Sequence, residues 1–116
     1  MMEHLNFQFP STPAIQGQKL KADVLCGIVS SGNLEILVEP TSGDRKLTSD
    51  ICLVIVETAA EGFGETWQAV LKQFAETHAA GGLSFTLNDV GATPAVVALR
   101  MAQAHEEWML AMGVGE

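Results

Sequence analysis

The sequence contains no tyrosine, two cysteines and only six basic residues against fourteen acidic ones. The cysteines, Cys26 and Cys52, are far apart and form no CxxC pair, which argues against a zinc or dithiol site, so we expect both to be buried, reduced core thiols. The formal charge of −8 repels nucleic acid phosphates and anionic lipid headgroups alike. We therefore expect neither nucleic acid nor membrane partners.

Long apolar runs are also lacking. The opening MMEHLNFQFPSTPA has no basic flank, and no segment approaches 18 uninterrupted apolar residues. A content of 47% hydrophobic and 17% charged residues is typical of a globular chain, and 116 residues suffice for one domain. The sequence predicts a single domain over residues 1–116, soluble and cytoplasmic.

The patterns of a catalytic centre are missing as well. No serine lies in a GxSxG elbow, and neither GFG at 62–64 nor GVG near the end has a phosphate-binding pattern. His4, His78 and His105 lack metal-ligand spacing, so we expect each to be solvated or at a helix end. Glu106 and Glu107 fit a solvated helix face better than an acid and base pair. An independent enzyme has no support in these residues.

Three larger side chains fit ligand binding, but each also fits a purely structural position. Trp67 and Trp108 stand among apolar neighbours at helical spacing, which favours core anchors over ligand-stacking residues. Arg100, in the middle of the second predicted helix, fits a solvated or sheet-edge position, with phosphate or carboxylate binding as the alternative.

Several segments have the composition or alternation of strands. Leu5, Phe7 and Phe9 share one face of a short strand, and LSFTLND at 83–89 alternates in the same way. Aliphatic and β-branched runs predict further strands at about 20–29 and 34–39. The run ICLVIV at 51–56 has no polar face, which favours a strand in the middle of the sheet, covered on both sides or especially well buried.

Two segments have the period of an amphipathic helix. The first begins near Glu61, has its apolar face at Phe63, Trp67, Val70, Leu71 and Phe74, and ends at His78 with Gly81 and Gly82. The second begins at the cap Thr93 with Pro94 in the first turn and runs to about Met112. Its apolar stripe consists of Val97, Met101, Ala104 and Trp108. The fold class predicted is α+β, with two helices packed on one face of a mostly antiparallel sheet.

The stretch SSGN at 30–33 lies between two predicted strands. Gly32 and Asn33 are the residues best able to hold the positive φ of a two-residue hairpin turn, which places Ser31 beside its tip. From composition alone this is most simply a turn in which Ser30 and Ser31 satisfy local backbone groups.

Longer segments resemble one family. The opening EHLNFQFP, the hairpin GIVSSGNLEILVEP, the segment GETWQAVLKQF and the stretch NDVGATPAVVALRMAQAHEEW are similar, in order and spacing, to the acyl carrier (delta) subunits of malonate decarboxylase. These are themselves similar to the acyl carrier subunits of citrate lyase.

The resemblance implies a modified serine. In that family the serine of an SGD motif carries 2'-(5''-phosphoribosyl)-3'-dephospho-CoA through a phosphodiester, and the matching residue is Ser31, followed by Gly32. Asn33 stands where the family more typically has aspartate, so the charge beside the serine is missing. If the attaching enzyme reads that charge, modification is expected to be slower, whereas if only the turn conformation matters, asparagine should serve.

The resemblance also implies a carrier without catalytic residues. Acetyl on the arm is exchanged for malonyl by an acyl transferase subunit, and a decarboxylase subunit then restores acetyl by releasing carbon dioxide. A prosthetic-group transferase attaches the arm. Two alternatives stay open, a citrate lyase-type acyl carrier and a non-catalytic scaffold subunit whose acidic surface only holds other subunits together.

Overall fold

The computed structural model describes residues 2–14, 28–31, 34–40 and 50–111, which form five strands and two helices. In chain order these are β1 (Glu3–Pro10), β2 (Ile28–Ser31), β3 (Leu34–Pro40), β4 (Ile51–Thr58), α1 (Gly64–Thr77), β5 (Leu83–Asp89) and α2 (Pro94–Ala111). Neither helix in these ranges is long and apolar enough to cross a membrane.

The strands form one sheet in the order β1-β4-β5-β3-β2. Three neighbouring pairs are antiparallel, and β4 and β5 are parallel, joined through α1. The predicted α+β fold with a mostly antiparallel sheet is confirmed. The parallel pair gives the sheet one βαβ unit, in which the chain leaves the end of β4, returns along α1 and re-enters the sheet as β5.

Alternation along the strands directs one set of side chains toward the helices. In β3 and β5 every second residue is buried, and in β1 Phe9 is buried while its neighbour Gln8 is exposed. The helices close this face with side chains at helical spacing. They are Trp67, Leu71, Phe74 and Ala75 from α1 and Val97, Met101, Ala104 and Trp108 from α2. The predicted stripe of the second helix is thus confirmed in full.

Strand β4 differs in part from its prediction. It is an internal strand between β1 and β5, although β5 and not β4 is the central one of the five. Only one of its faces is fully covered, since Cys52, Val54 and Val56 are buried whereas Ile55 is 40% exposed. The apolar run does not reflect two covering layers, because both helices pack against the same face.

The helix ends follow local capping chemistry. Thr93 caps α2 by accepting a hydrogen bond from the Val96 amide at 3.3 Å, as predicted. Helix α1 begins at Gly64, three residues later than expected, and Phe63 is its N-cap residue without a side-chain cap hydrogen bond. Phe63 is 53% exposed and so does not belong to the buried stripe.

Some predicted features lie outside the described residues. Of the strand expected at 20–29, the structure describes only the end, from Ile28 onward. Cys26, Gly32, Asn33 and Met112 are likewise outside the described ranges.

Candidate functional site

Strands β2 and β3 form the predicted hairpin. They pair in antiparallel register, with Ser31 opposite Leu34, so Gly32 and Asn33 are the two residues that connect them. Among the strands that the structure describes, β2 ends the sheet and pairs only with β3. Ser31 therefore occupies the final paired position of an edge strand, next to the turn. The proposed turn conformation of Gly32 and Asn33 stays a prediction.

The register places Ser31 in a row that crosses the whole sheet. Leu34 pairs with Asp89 of β5, and Asp89 pairs with Thr58 of β4. Thr58 in turn pairs with Glu3 of β1. Because neighbouring strands are about 4.8 Å apart, the backbones at Ser31 and Asp89 are separated by roughly 10 Å. The hairpin end and the ends of the parallel strands thus lie at the same end of the sheet.

A buried polar pair joins the ends of β4 and β5. The Thr58 hydroxyl donates a 2.8 Å hydrogen bond to Asp89 Oδ2 and accepts one from the Ala60 amide at 3.0 Å. Asp89 Oδ1 accepts hydrogen bonds from the amides of Gly91 at 3.2 Å and Ala92 at 2.8 Å. Both side chains are almost fully buried. They fix the two loops that lead into α1 and α2.

Sequence reasoning missed this pair. The available signal was a polar residue ending each of two apolar strands, both followed by a turn, since buried polar side chains at such points usually bind loop amides. The loop after β5 also contains Gly91. Its φ of +117° lies in the region that favours glycine.

A cavity of about 420 Å³ opens beside the Thr58–Asp89 pair, between the starts of the two helices. Asp89 and Thr66 are the polar residues of its lining. The rest of the lining is mostly apolar and includes Phe63, Trp67, Val70, Ala92, Pro94 and Val97. The position, at the carboxyl ends of adjacent parallel strands, is the usual place for ligands in sheets that contain βαβ units.

Two of the three histidines lie close together. His78 and His105 come together, with ring centroids 5.3 Å apart, and His78 stacks on Phe74 at 4.5 Å. His78 lies at a helix end as predicted, and His4 is exposed. The described residues contain no group of three or more His, Cys, Asp or Glu side chains that could hold a metal ion.

The expectation for His105 was wrong. It lies inside α2, partly buried, because the chain between α1 and β5 passes over it. Its Nε2 is 2.8 Å from the Ala79 carbonyl oxygen, and since a carbonyl can only accept, Nε2 carries the proton. Burial lowers the pKa of His105, the Ala79 hydrogen bond raises it in part, and the nearby His78 lowers it further.

The remaining candidates lie on α2 and β4. Arg100 is partly buried, and its guanidinium donates a 2.6 Å hydrogen bond to Gln103 Oε1. Glu106 and Glu107 are exposed, as expected for a solvated face. Cys52 is a buried free thiol, as predicted, and burial raises its pKa to about 12.

Comparison with known proteins identifies the family. A family model of acyl carrier proteins, described as malonate decarboxylase delta subunit (MdcD), matches residues 21–108. The chain belongs to the malonate decarboxylase delta subunit family. The malonate decarboxylase acyl carrier protein of Acinetobacter calcoaceticus is 50% identical over 103 residues, which cover 89% of this chain and 93% of the relative. That of Burkholderia cepacia is 50% identical over 107 residues, covering 91% and 90%.

A solved structure extends the similarity to the fold. One chain of a Pseudomonas malonate decarboxylase hetero-tetramer, in complex with malonate, superposes with a TM-score of 0.66 and 32% sequence identity. The match covers 90% of this chain and 97% of that chain. The family match at 21–108 includes the hairpin, the Thr58–Asp89 pair and most of α2, so the delta subunit family resemblance found in the sequence is confirmed.

Proposed function

We propose that this chain is the acyl carrier subunit of a malonate decarboxylase and that Ser31 carries its prosthetic group, 2'-(5''-phosphoribosyl)-3'-dephospho-CoA, through a phosphodiester. Membership of the delta subunit family, together with the position of Ser31 at the turn of the edge hairpin, supports this proposal. The group supplies a terminal thiol on which an acyl group is held as a thioester.

The residues of the hairpin fit such an attachment. A serine supplies the hydroxyl that a phosphodiester requires, and the end of an edge strand lets a transferase approach without displacing a neighbouring strand. The ladders to β3 and then β5 hold the position, so the attachment point sits on a rigid element. We assign Gly32 and Asn33 to shaping the turn beside it.

The carrier role needs no catalytic side chain on this subunit. Thr58 and Asp89, the buried polar residues nearest the hairpin in register, are engaged with each other and with loop amides. Tethering raises the local concentration of the acyl group at each partner, and the partners supply the chemistry. We propose an acyl transferase subunit, a decarboxylase subunit and a prosthetic-group transferase as partners, in keeping with the hetero-tetramer that contains the related Pseudomonas chain.

We place the subunit in the cytoplasm. The buried Cys52 thiol is free, as is usual for proteins of reducing compartments, and the proposed arm is a coenzyme A derivative. Fractionation of cells grown on malonate tests this location, and recovery of the chain in the periplasm would contradict it.

The attachment is tested by mass spectrometry of the chain purified from cells that contain the malonate decarboxylase subunits and the attaching enzymes. We compare the wild type with Ser31→Ala and, as the matched control, Ser30→Ala, which removes the adjacent hydroxyl opposite Glu35. The adduct is expected on the wild type and on Ser30→Ala, localised to residue 31 by fragmentation, and is expected to be absent from Ser31→Ala. Circular dichroism establishes that all three chains are folded.

Two results would contradict the proposal. An adduct that survives Ser31→Ala would move the attachment to another residue. An unmodified chain in an active complex would favour the scaffold subunit instead. Acetate release from malonate and from citrate by the reconstituted complex separates the malonate decarboxylase carrier from the citrate lyase-type carrier, and the family match favours malonate.

A further inference from the structure

The cavity beside the Thr58–Asp89 pair lies at the same end of the sheet as Ser31. Asp89, which lines the cavity, is two strands from Ser31 in the paired row, through Leu34. The separation across the two strand spacings is roughly 10 Å. An arm that contains ribose units and a pantetheine chain is longer than this distance, so its end can reach the cavity.

The lining of the cavity suits a small, mostly apolar group. Its larger apolar lining residues are Phe63, Trp67, Val70 and Val97. The polar atoms of Asp89 are already hydrogen bonded to Thr58 and to loop amides, so the carboxylate orders the wall and has little capacity left for new donors. A volume of about 420 Å³ lies within the range of small-molecule sites.

We propose that this cavity binds the acyl-thioester end of the arm attached to Ser31, and that it holds the uncharged acetyl form in preference to the malonyl form. The proposal rests on the proposed function, because it takes the arm on Ser31 as the occupant. The cavity thus shelters the acetyl thioester from water between visits to the partner subunits.

Selectivity follows from the charge of Asp89. Asp89 is one of the lining residues, and no lysine or arginine of the described part of the chain forms an ion pair with its carboxylate. A malonyl group adds a second carboxylate to a site of low polarity, where two like charges a few ångströms apart repel strongly. Acetyl carries no charge and fills the apolar part without that repulsion.

The affinity needed is low because the ligand is tethered. A short flexible link gives an effective concentration on the order of 1 mM, so a site with a Kd of about 1 mM for the free ligand is half occupied by the tethered one. Each thioester would then be protected about twofold against attack from solution, and more if the site binds more tightly.

The first experiment uses the unmodified chain and a free probe, S-acetylpantetheine, titrated to about 10 mM, ten times the effective concentration above. Two-dimensional NMR is expected to show saturable shifts at the amides of Gly91, Ala92 and Val97 and at the indole of Trp67. The indole of Trp108, fully buried and outside the lining, serves as an internal reference. S-malonylpantetheine is expected to bind about tenfold more weakly because of the second carboxylate.

Two cavity variants provide the comparison. Val70→Phe fills the cavity from a partly buried wall position, and Thr66→Phe narrows it from an exposed one, so that a folded variant is available if Val70→Phe does not fold. The matched control is Gln68→Phe, an exposed residue of the same helix that does not line the cavity. The cavity variants are expected to lose the shifts, and the control to keep them.

The second experiment uses the chain carrying the arm, with loading at Ser31 established by mass. Cleavage of its acetyl thioester by hydroxylamine is expected to be at least about twofold slower than cleavage of S-acetylpantetheine. Thr66→Phe restores the rate of the free compound, and Gln68→Phe does not.

The two proposals fail in different ways. An unmodified Ser31 in an active complex refutes the attachment, whereas the titration of the unmodified chain still measures the cavity. If the free probe gives no shifts at the cavity up to about 10 mM, or gives shifts that Thr66→Phe and Val70→Phe leave unchanged, the cavity proposal is overturned even when Ser31 is fully loaded. Equal affinities of the acetyl and malonyl probes would refute the proposed preference for the acetyl form.

Discussion

Thr58 and Asp89 are hydrogen bonded at 2.8 Å although they are 31 positions apart in the sequence. The bond joins the carboxyl ends of two parallel strands, and each partner also accepts a hydrogen bond from one or more backbone amides in the loop that follows its own strand. The pair therefore couples the sheet to the starting points of both helices.

Removing the Thr58 hydroxyl should destabilise the chain. Thr58→Val keeps the shape but leaves Asp89 Oδ2 and the Ala60 amide without this partner, at a cost of about 1–3 kcal/mol in the free energy of unfolding. Urea denaturation measures the change, with an unaltered slope as the sign of an intact two-state transition. Thr58→Ser, which retains the hydroxyl, should keep the hydrogen bonds. Equal stability of Thr58→Val and wild type would show that the pair contributes nothing.

The cap of α2 should contribute a smaller amount. Thr93→Ala removes the acceptor for the Val96 amide, and because that hydrogen bond is long at 3.3 Å we expect a loss of about 0.5–1 kcal/mol, at the lower end of the usual range. Thr93→Ser is the control, since serine caps as well as threonine does. Thermal denaturation compares the three chains, and a larger loss in the serine variant than in the alanine variant would contradict the assignment of the cap.

Acid should weaken the fold through His105. Its pKa is lowered in the folded chain, mainly by burial, from an ordinary value of 6.5. Between the two pKa values the unfolded chain binds more protons, so the contribution to stability is present above pH 6.5 and is lost as the pH falls through the lowered pKa.

The measurement is the urea midpoint of the wild type and His105→Gln at pH values above and below 6.5. We expect the wild-type midpoint to fall more steeply with acid than that of the variant. His4→Gln is the control, because it removes a histidine from the exposed side of β1 and leaves the contacts among Phe74, His78 and His105 in place. Parallel curves for wild type and His105→Gln would contradict the prediction.

Cys52 should be unreactive in the folded chain. Burial keeps solvent away from the sulfur and raises the pKa of the thiol to about 12. At neutral pH the thiolate population is therefore negligible. A Cys26→Ser variant without the prosthetic arm leaves Cys52 as the sole thiol. In this variant we expect slow reaction with a disulfide reagent under native conditions and fast, stoichiometric reaction in denaturant. Rapid labelling of the native variant would show that the strand opens readily.

Local patterns were enough to predict the elements of this fold. The alternation of Leu83, Phe85 and Leu87 and the helical spacing of Val97, Met101 and Trp108 each reflect contacts with one covered face, and such periodicity is legible within a few residues. The hairpin followed from two residues suited to positive φ, and its register agrees.

The relations between distant segments could not be obtained in this way. The parallel pairing of β4 with β5, and the meeting of His78 with His105, depend on packing between parts of the chain that have no shared local signal. Phe63 was misplaced because the spacing fits the helical stripe, although the helix begins one residue later and leaves the ring exposed. The cavity is likewise formed by loops and helix starts brought together only in the fold.

The position of β5 has a consequence for synthesis of the chain. β5 is the last of the five described strands to be made, yet it stands between β3 and β4, which do not pair with each other. Both earlier strands therefore emerge from the ribosome with an unpaired edge until residues up to Asp89 are available. Such long-range pairing slows folding and leaves strand edges unpaired meanwhile, so the sheet is expected to assemble only after β5 has been made.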